Sequence, residues 1–68
     1  MELTVNGETR HAEPGATVAE LMEQMGFDPA ARGVAVAVNG AVVSSRGWSE
    51  RHLSEGDTVE IIHAVQGG

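Results

Sequence analysis

The sequence predicts an α+β fold, a mixed sheet of four to five strands with one main helix across one face. Three observations predict it. The pairs Asn6-Gly7 and Asn39-Gly40 each separate two extended runs. Val18, Leu21, Met22 and Met25 form a single apolar stripe at helical spacing. A β-branched run from Thr58 to about Val65 comes last and is the strongest strand signal in the chain.

The elements follow in order. Leu3 and Val5 alternate with Glu2 and Thr4 before Asn6-Gly7. Asn-Gly is the pair that a type I′ turn demands, because both positions need positive φ. Residues 2–5 and about 8–12 are therefore expected to pair as an antiparallel hairpin, with the polar second strand at an edge. Pro14-Gly15 ends it. Thr17 opens the helix, and Glu20 stands at the capping-box position three residues on. Gly26 suits the left-handed residue that closes a helix, and Phe27 is expected to fold back onto the helix end. Val34-Ala35-Val36-Ala37-Val38 is a strand with valines on one side and alanines on the other. Asn39-Gly40 turns it back through Ala41-Val42-Val43. Residues 44–57 form a polar connection in which Trp48 and Leu53 are expected to plug the core, and Glu55-Gly56-Asp57 is a turn. A hairpin, one helix and further strands make up the β-grasp arrangement. The last strand can lie parallel to the first because the helix lies within a long crossover. The expected organisation is a single domain over residues 1–65 and a flexible tail over residues 66–68.

Size and charge limit the function. With 68 residues, of which 41% are hydrophobic and many of these alanine, the core is thin and an enclosed substrate cavity is not expected. Ten acidic residues face four basic ones, for a net charge of −6. Such a chain repels phosphate backbones and anionic lipid, so neither nucleic acid nor a membrane is an expected partner, whereas a basic protein surface attracts it. No apolar run is long enough to span a bilayer, and the N-terminus lacks the basic start of a signal peptide. The expected location is cytoplasmic. There is no cysteine, hence no disulfide, thiolate nucleophile or zinc knuckle. His11, His52 and His63 show no ligand spacing. The serines lack the setting of a phosphopantetheine site, and no Gly-rich phosphate loop is present. No catalytic residues, metal site or bound cofactor are expected, and the chain is not read as an enzyme.

The ending carries the chemistry. Gln66 leads into Gly67-Gly68, two residues without side chains. Such an arm can thread a channel that any Cβ would block, and its terminal carboxylate is unhindered for attack on an α-phosphate. Plain fraying of small terminal residues is the other reading. The chain also contains no lysine, so neither amine nor thiol side chains compete for an activated terminus; a compositional bias toward arginine is the simpler account of the same absence. By alternation Val59 and Ile61 face the helix, while Ile62 and Ala64 lie on the open side of the sheet near the tail, as a candidate docking surface. A single exposed aliphatic residue is also common in proteins without such a role.

These residues together resemble a family. Val38-Asn39-Gly40 with Val42-Val43, Trp48, Leu53-Ser54-Glu55-Gly56-Asp57, Val59-Glu60-Ile61-Ile62 and Gly67-Gly68 are similar to the thiamine-biosynthesis sulfur carriers (ThiS-like), small ubiquitin-like β-grasp proteins. Val5-Asn6-Gly7-Glu8 and Thr17-Val18 with Leu21 fit too, so the resemblance spans nearly the whole chain. Trp48 favours the thiamine branch over the small subunit of molybdopterin synthase. The family often has Val-Pro-Arg after the second hairpin. Here Val43-Ser44-Ser45-Arg46 stands in its place, and no partner contact is carried over to Arg46.

The resemblance implies that a ubiquitin-activating-like adenylyltransferase, using ATP and Mg²⁺, adenylates the Gly68 carboxylate. A sulfur donor relay then converts it to a thiocarboxylate, and thiazole synthase takes the sulfur. Only Gly67 and Gly68 carry over as functional residues, and no proteolytic trimming is expected before Gly68 is used. Left open are a sulfur carrier for molybdopterin, cysteine or tRNA thiolation, a ubiquitin-like protein modifier, and an interaction module with an inert tail.

Overall fold

A computed structural model describes residues 1–28 and 32–63. Both Asn-Gly pairs form the expected turns. Asn6 and Gly7 take φ of +50° and +83°, and Asn39 and Gly40 take +51° and +84°. The first turn joins β1 (Glu2–Val5) to β2 (Glu8–His11), and the second joins β3 (Val34–Val38) to β4 (Ala41–Val43). The last strand, β5 (Thr58–His63), completes a five-stranded sheet in the order β2-β1-β5-β3-β4. β5 runs parallel to β1, with Val5 opposite Val59, and antiparallel to β3, with Val38 opposite Val59 and Val34 opposite His63. The sequence reading carried this strand to about Val65; Ala64 and Val65 lie outside the described residues, as does the expected tail.

The helix α1 (Val18–Gln24) shows how closely its ends are specified. The Thr17 hydroxyl accepts from the Glu20 amide at 3.2 Å, and the Glu20 carboxylate accepts from the Thr17 amide at 2.8 Å. The next unpaired donors of a helix N-terminus are met by a distant segment. Val18 N–H donates to the Arg51 carbonyl at 2.9 Å and Ala19 N–H to the Trp48 carbonyl at 3.0 Å. At the other end Phe27 N–H reaches the Met22 carbonyl and Gly26 N–H the Glu23 carbonyl, a Schellman closure with Gly26 at φ +88°. The connection after β4 is thus more than a plug. A 3₁₀ turn (Ser45–Gly47) drops Trp48 into the core, where its indole N–H donates to the Val43 carbonyl at 2.9 Å. Thr17 and His52 form an isolated bridge, and Leu53 N–H donates to the Ala16 carbonyl.

The core lies between α1 and one face of the sheet. Leu3 and Val5 of β1, Val36 and Val38 of β3, and Val59 and Ile61 of β5 meet Val18, Leu21 and Met22, and Trp48 and Leu53 close the end. Burying one such aliphatic side chain stabilises by roughly 1.5–3 kcal/mol, against about 1 kcal/mol for a helix cap. Packing therefore supplies most of the stability, and the caps and turns select the arrangement.

Hydrogen bonds from side chains hold β5 at two points. Asn39 Nδ2 donates to Asp57 Oδ1 at 3.0 Å, and the Thr58 amide donates to Asn39 Oδ1 at 2.9 Å. The Ser54 amide donates to Asp57 Oδ2 at 2.8 Å. Further along, Ile61 N–H donates to Asn6 Oδ1 at 2.8 Å and Asn6 Nδ2 donates to the Ile61 carbonyl at 3.2 Å. The Asn6 amide thereby extends β1 by one residue's worth of pairing.

Two predictions follow from these clamps. Asn6→Gly keeps the positive φ but removes both bonds to Ile61. Hydrogen exchange at the Ile61 amide should rise on the order of tenfold, while the Ile62 amide, which faces β3, keeps its protection. The second concerns acid. Asp57 is held below its ordinary value of 3.8, first by the Asn39 side chain, then by the Ser54 amide, with a smaller pull from Arg51, all against the opposing effect of burial. The folded state therefore binds this proton more weakly than the unfolded chain. The resulting stability is complete above the ordinary value and lost as the pH falls through the lower folded one. In urea titrations, Asp57→Ala should flatten the pH dependence of stability below the ordinary value of 3.8 relative to the parent.

Candidate functional site: the end of the central strand

The site is built on β5, the last strand in the chain and the middle strand of the sheet. A central strand has neighbours on both edges, so its direction at the end is set by the whole sheet. Val59 and Ile61 point into the core, and Ile62 points away from it, 66% exposed, as alternation predicts. Register places Ala35 of β3 opposite Ile62. Glu60 stands opposite Ala37, which in turn stands opposite Val42 of β4. Val42 is 80% exposed and, with Ile62, makes up the large exposed hydrophobic residues of the described chain. The open face thus presents Ile62, Ala35, Ala37 and Val42 around the carboxylate of Glu60.

Of the residues read from sequence as the site, Ile62 sits where expected. Ala64, Gln66, Gly67 and Gly68 lie outside the described residues. Sequence reasoning missed Val42 as an exposed member of the same face. The register supplies it, since Val42 shares a cross-strand row with Ala37 and Glu60. It also missed the second use of Asn6, because a turn that needs positive φ already accounts for an asparagine. His63 showed no metal-ligand spacing, and its structural setting is different. Its ring packs edge to face against Phe27, with centroids 5.8 Å apart and planes at 80°.

The rest of the surface offers little chemistry. Among the described residues no three His, Asp or Glu side chains come together to hold a metal. Shallow depressions flank α1, one lined by Ala12, Glu13, Ala16 and Glu20, the other by Met22, Phe27, Ser45 and Trp48. Neither lining pairs a nucleophile with a base. No helix among the described residues is long and apolar enough to cross a membrane.

Comparisons with known proteins agree with the geometry. The sulfur carrier protein ThiS of Thermus thermophilus is 39% identical over 64 residues, covering 94% of this chain and 95% of that one. The sulfur carrier protein ThiS of Escherichia coli is 29% identical over the full length of both chains. A thiazole synthase of Magnetococcus marinus is 40% identical over 68 residues, and there the chain spans only 20% of the relative's length. Among solved structures, the crystal structure of the thiamine biosynthesis protein ThiS from Geobacter metallireducens superimposes with a TM-score of 0.82 at 30% identity, over the whole of both chains. The family model described as the ThiS family matches residues 3–68. A β-grasp sheet with its last strand at the centre, matched by sequence over all but the first two residues, places this chain in the ThiS family.

Proposed function

We propose that the chain is a sulfur carrier of thiamine biosynthesis whose working group is the Gly68 carboxylate. The observation that carries this reading is the match to the ThiS family model over residues 3–68, which takes in Gly67-Gly68. A carboxylate is a poor electrophile at neutral pH. Adenylation corrects this: the Gly68 oxygen attacks the α-phosphorus of ATP, pyrophosphate leaves, and the acyl carbon becomes open to hydrosulfide supplied by the sulfur donor, which displaces AMP. The product is a thiocarboxylate. ATP, Mg²⁺ and the groups that stabilise the phosphoryl transition state belong to an adenylyltransferase of the ubiquitin-activating type, since phosphoryl transfer depends on positioning and metal-assisted charge neutralisation. This chain contributes a substrate end that fits a narrow channel and a surface by which the enzyme holds it.

The open face is proposed as that surface. An exposed isoleucine beside valine and alanines buries apolar area without disturbing the core, and Glu60 together with the net charge of −6 favours a basic partner. Thiazole synthase is the proposed acceptor of the sulfur. Two thiazole synthases match this chain over about one fifth of their own length, 20% in each case, which supports a working link between the carrier and that enzyme.

Protein isolated from its host should contain, by intact mass, a fraction in which one oxygen has been replaced by sulfur. A free carboxylate alone, even after incubation with an adenylyltransferase and a sulfur donor, removes the carrier reading. Deleting the gene should create a requirement for thiamine or its thiazole moiety; a requirement for a molybdenum cofactor or cysteine instead would reassign the pathway. Ile62→Arg should raise the KM for activation about tenfold or more, as loss of a central apolar anchor does, with an unchanged urea midpoint. An unaltered KM would remove the docking face.

A further inference from the structure

We infer that Asn39-Gly40 is a self-modification site, at which Asn39 loses its side-chain nitrogen as ammonia and the carboxylate so formed unfastens the start of β5. The inference stands apart from the carrier reading and needs no partner. Asn6 and Asn39 are the two asparagines of the chain, and each is followed by glycine. In such a pair the glycine nitrogen gives up its proton to base and attacks the asparagine Cγ. An N–Cγ bond forms, the Cγ–Nδ2 bond breaks, and the leaving nitrogen takes up a proton to depart as ammonia. Water then opens the cyclic imide, at one carbonyl to aspartate and at the other to isoaspartate. The sum is carboxamide plus water giving carboxylic acid plus ammonia. Glycine permits the attack because it carries no Cβ to block it. Around Gly7 and Gly40 alike, nothing lies within 4 Å of the place a Cβ would take.

The fold separates the two sites by how each carboxamide is held. Attack requires the carboxamide to leave its hydrogen bonds and turn to the glycine nitrogen. Asn6 binds both the amide and the carbonyl of Ile61, a buried residue paired with Val36 of β3. Releasing Asn6 leaves a part-buried N–H and C=O without partners, which is costly. Asn39 Oδ1 accepts from Thr58, the first residue of β5, and its Nδ2 donates to Asp57 in the turn ahead of it. Both of those bonds are exposed, so water replaces Asn39 at little cost. The product then changes the charge at that point. A carboxylate oxygen replaces the nitrogen that stands 3.0 Å from Asp57 Oδ1. The donor is lost and like charges face each other, which raises the carboxyl pKa of the pair. The Asn39 bond is the largest cause that holds Asp57 below its ordinary value. With it gone, the folded state binds a proton more tightly than the unfolded chain. The modified chain is therefore destabilised at neutral pH, and its deficit shrinks as the pH falls through the raised value.

The test is prolonged incubation of the folded chain at mildly alkaline pH, beside a sample unfolded in urea. Trypsin releases the two asparagines on separate peptides, ending at Arg10 and Arg46, and the deamidated fraction of each is read by mass. In the folded chain Asn39 should be modified on the order of tenfold faster than Asn6, the factor set by one unsatisfied hydrogen bond. In urea the two rates should converge. An unmodified Asn39, equal rates in the folded chain, or the same ratio in urea overturns the site. The consequence is read from Asn39→Asp, which carries the product side chain and still tolerates the left-handed turn. Its urea midpoint should lie below that of the parent at neutral pH, and the gap should narrow as the pH falls toward the ordinary carboxylate range. A midpoint equal to the parent's, or a gap that does not change with pH, overturns the unfastening of β5.

Discussion

Placing the last strand of the chain at the centre of the sheet is the constraint on which the rest depends. A strand at that position can satisfy its backbone only if β1 lies on one side and β3 on the other. Parallel pairing with β1 in turn requires a crossover long enough to contain a helix. The helix is short, seven residues, and a helix of that length is not stable alone in water. It persists because Val18, Leu21 and Met22 are buried and because both of its ends are closed, the N-terminus partly by carbonyls of Trp48 and Arg51. The segment between β4 and β5 thus caps the helix, fills the core with Trp48 and Leu53, and delivers the chain to the start of β5.

Side-chain amides refine this frame. Asn39 and Asp57 fix where β5 begins, and Asn6 fixes it again at Ile61. Both asparagines serve twice, since each also accepts the positive φ of a hairpin turn. A glycine could adopt the turn and an aspartate could accept one of the bonds. Only asparagine does both and also donates. The result is a strand held along its length, ending in residues whose two faces are chemically distinct: apolar Ile62 outward and the His63 ring against Phe27 inward.

Much of this was legible in the sequence, for local reasons. Asn-Gly pairs, a capping box and a closing glycine are short-range signals, and each produced the expected turn or helix end. Period-two alternation was enough to send Val59 and Ile61 inward and Ile62 outward. What was not legible depends on residues far apart in the chain. Backbone carbonyls at Trp48 and Arg51 carry no side-chain signature, so their role as helix caps could not be read from composition. The long-range bonds of Asn6 were hidden behind its local role in a turn. The partnership of Phe27 with His63 joins a helix end to a strand end that only the folded topology brings together, and Val42 belongs to the open face only through strand register. The proposed role of Gly67-Gly68 is read from residue type and family resemblance, since these residues lie outside the described ones.

Under the proposed function the fold is a holder for the Gly68 carboxylate. The most direct test of that function is ATP–pyrophosphate exchange catalysed by the cognate adenylyltransferase, comparing the full chain with one that lacks only Gly68. The account predicts exchange that depends on the full chain and falls to background without Gly68, while both chains show the same urea midpoint. Equal exchange by the two chains would contradict it.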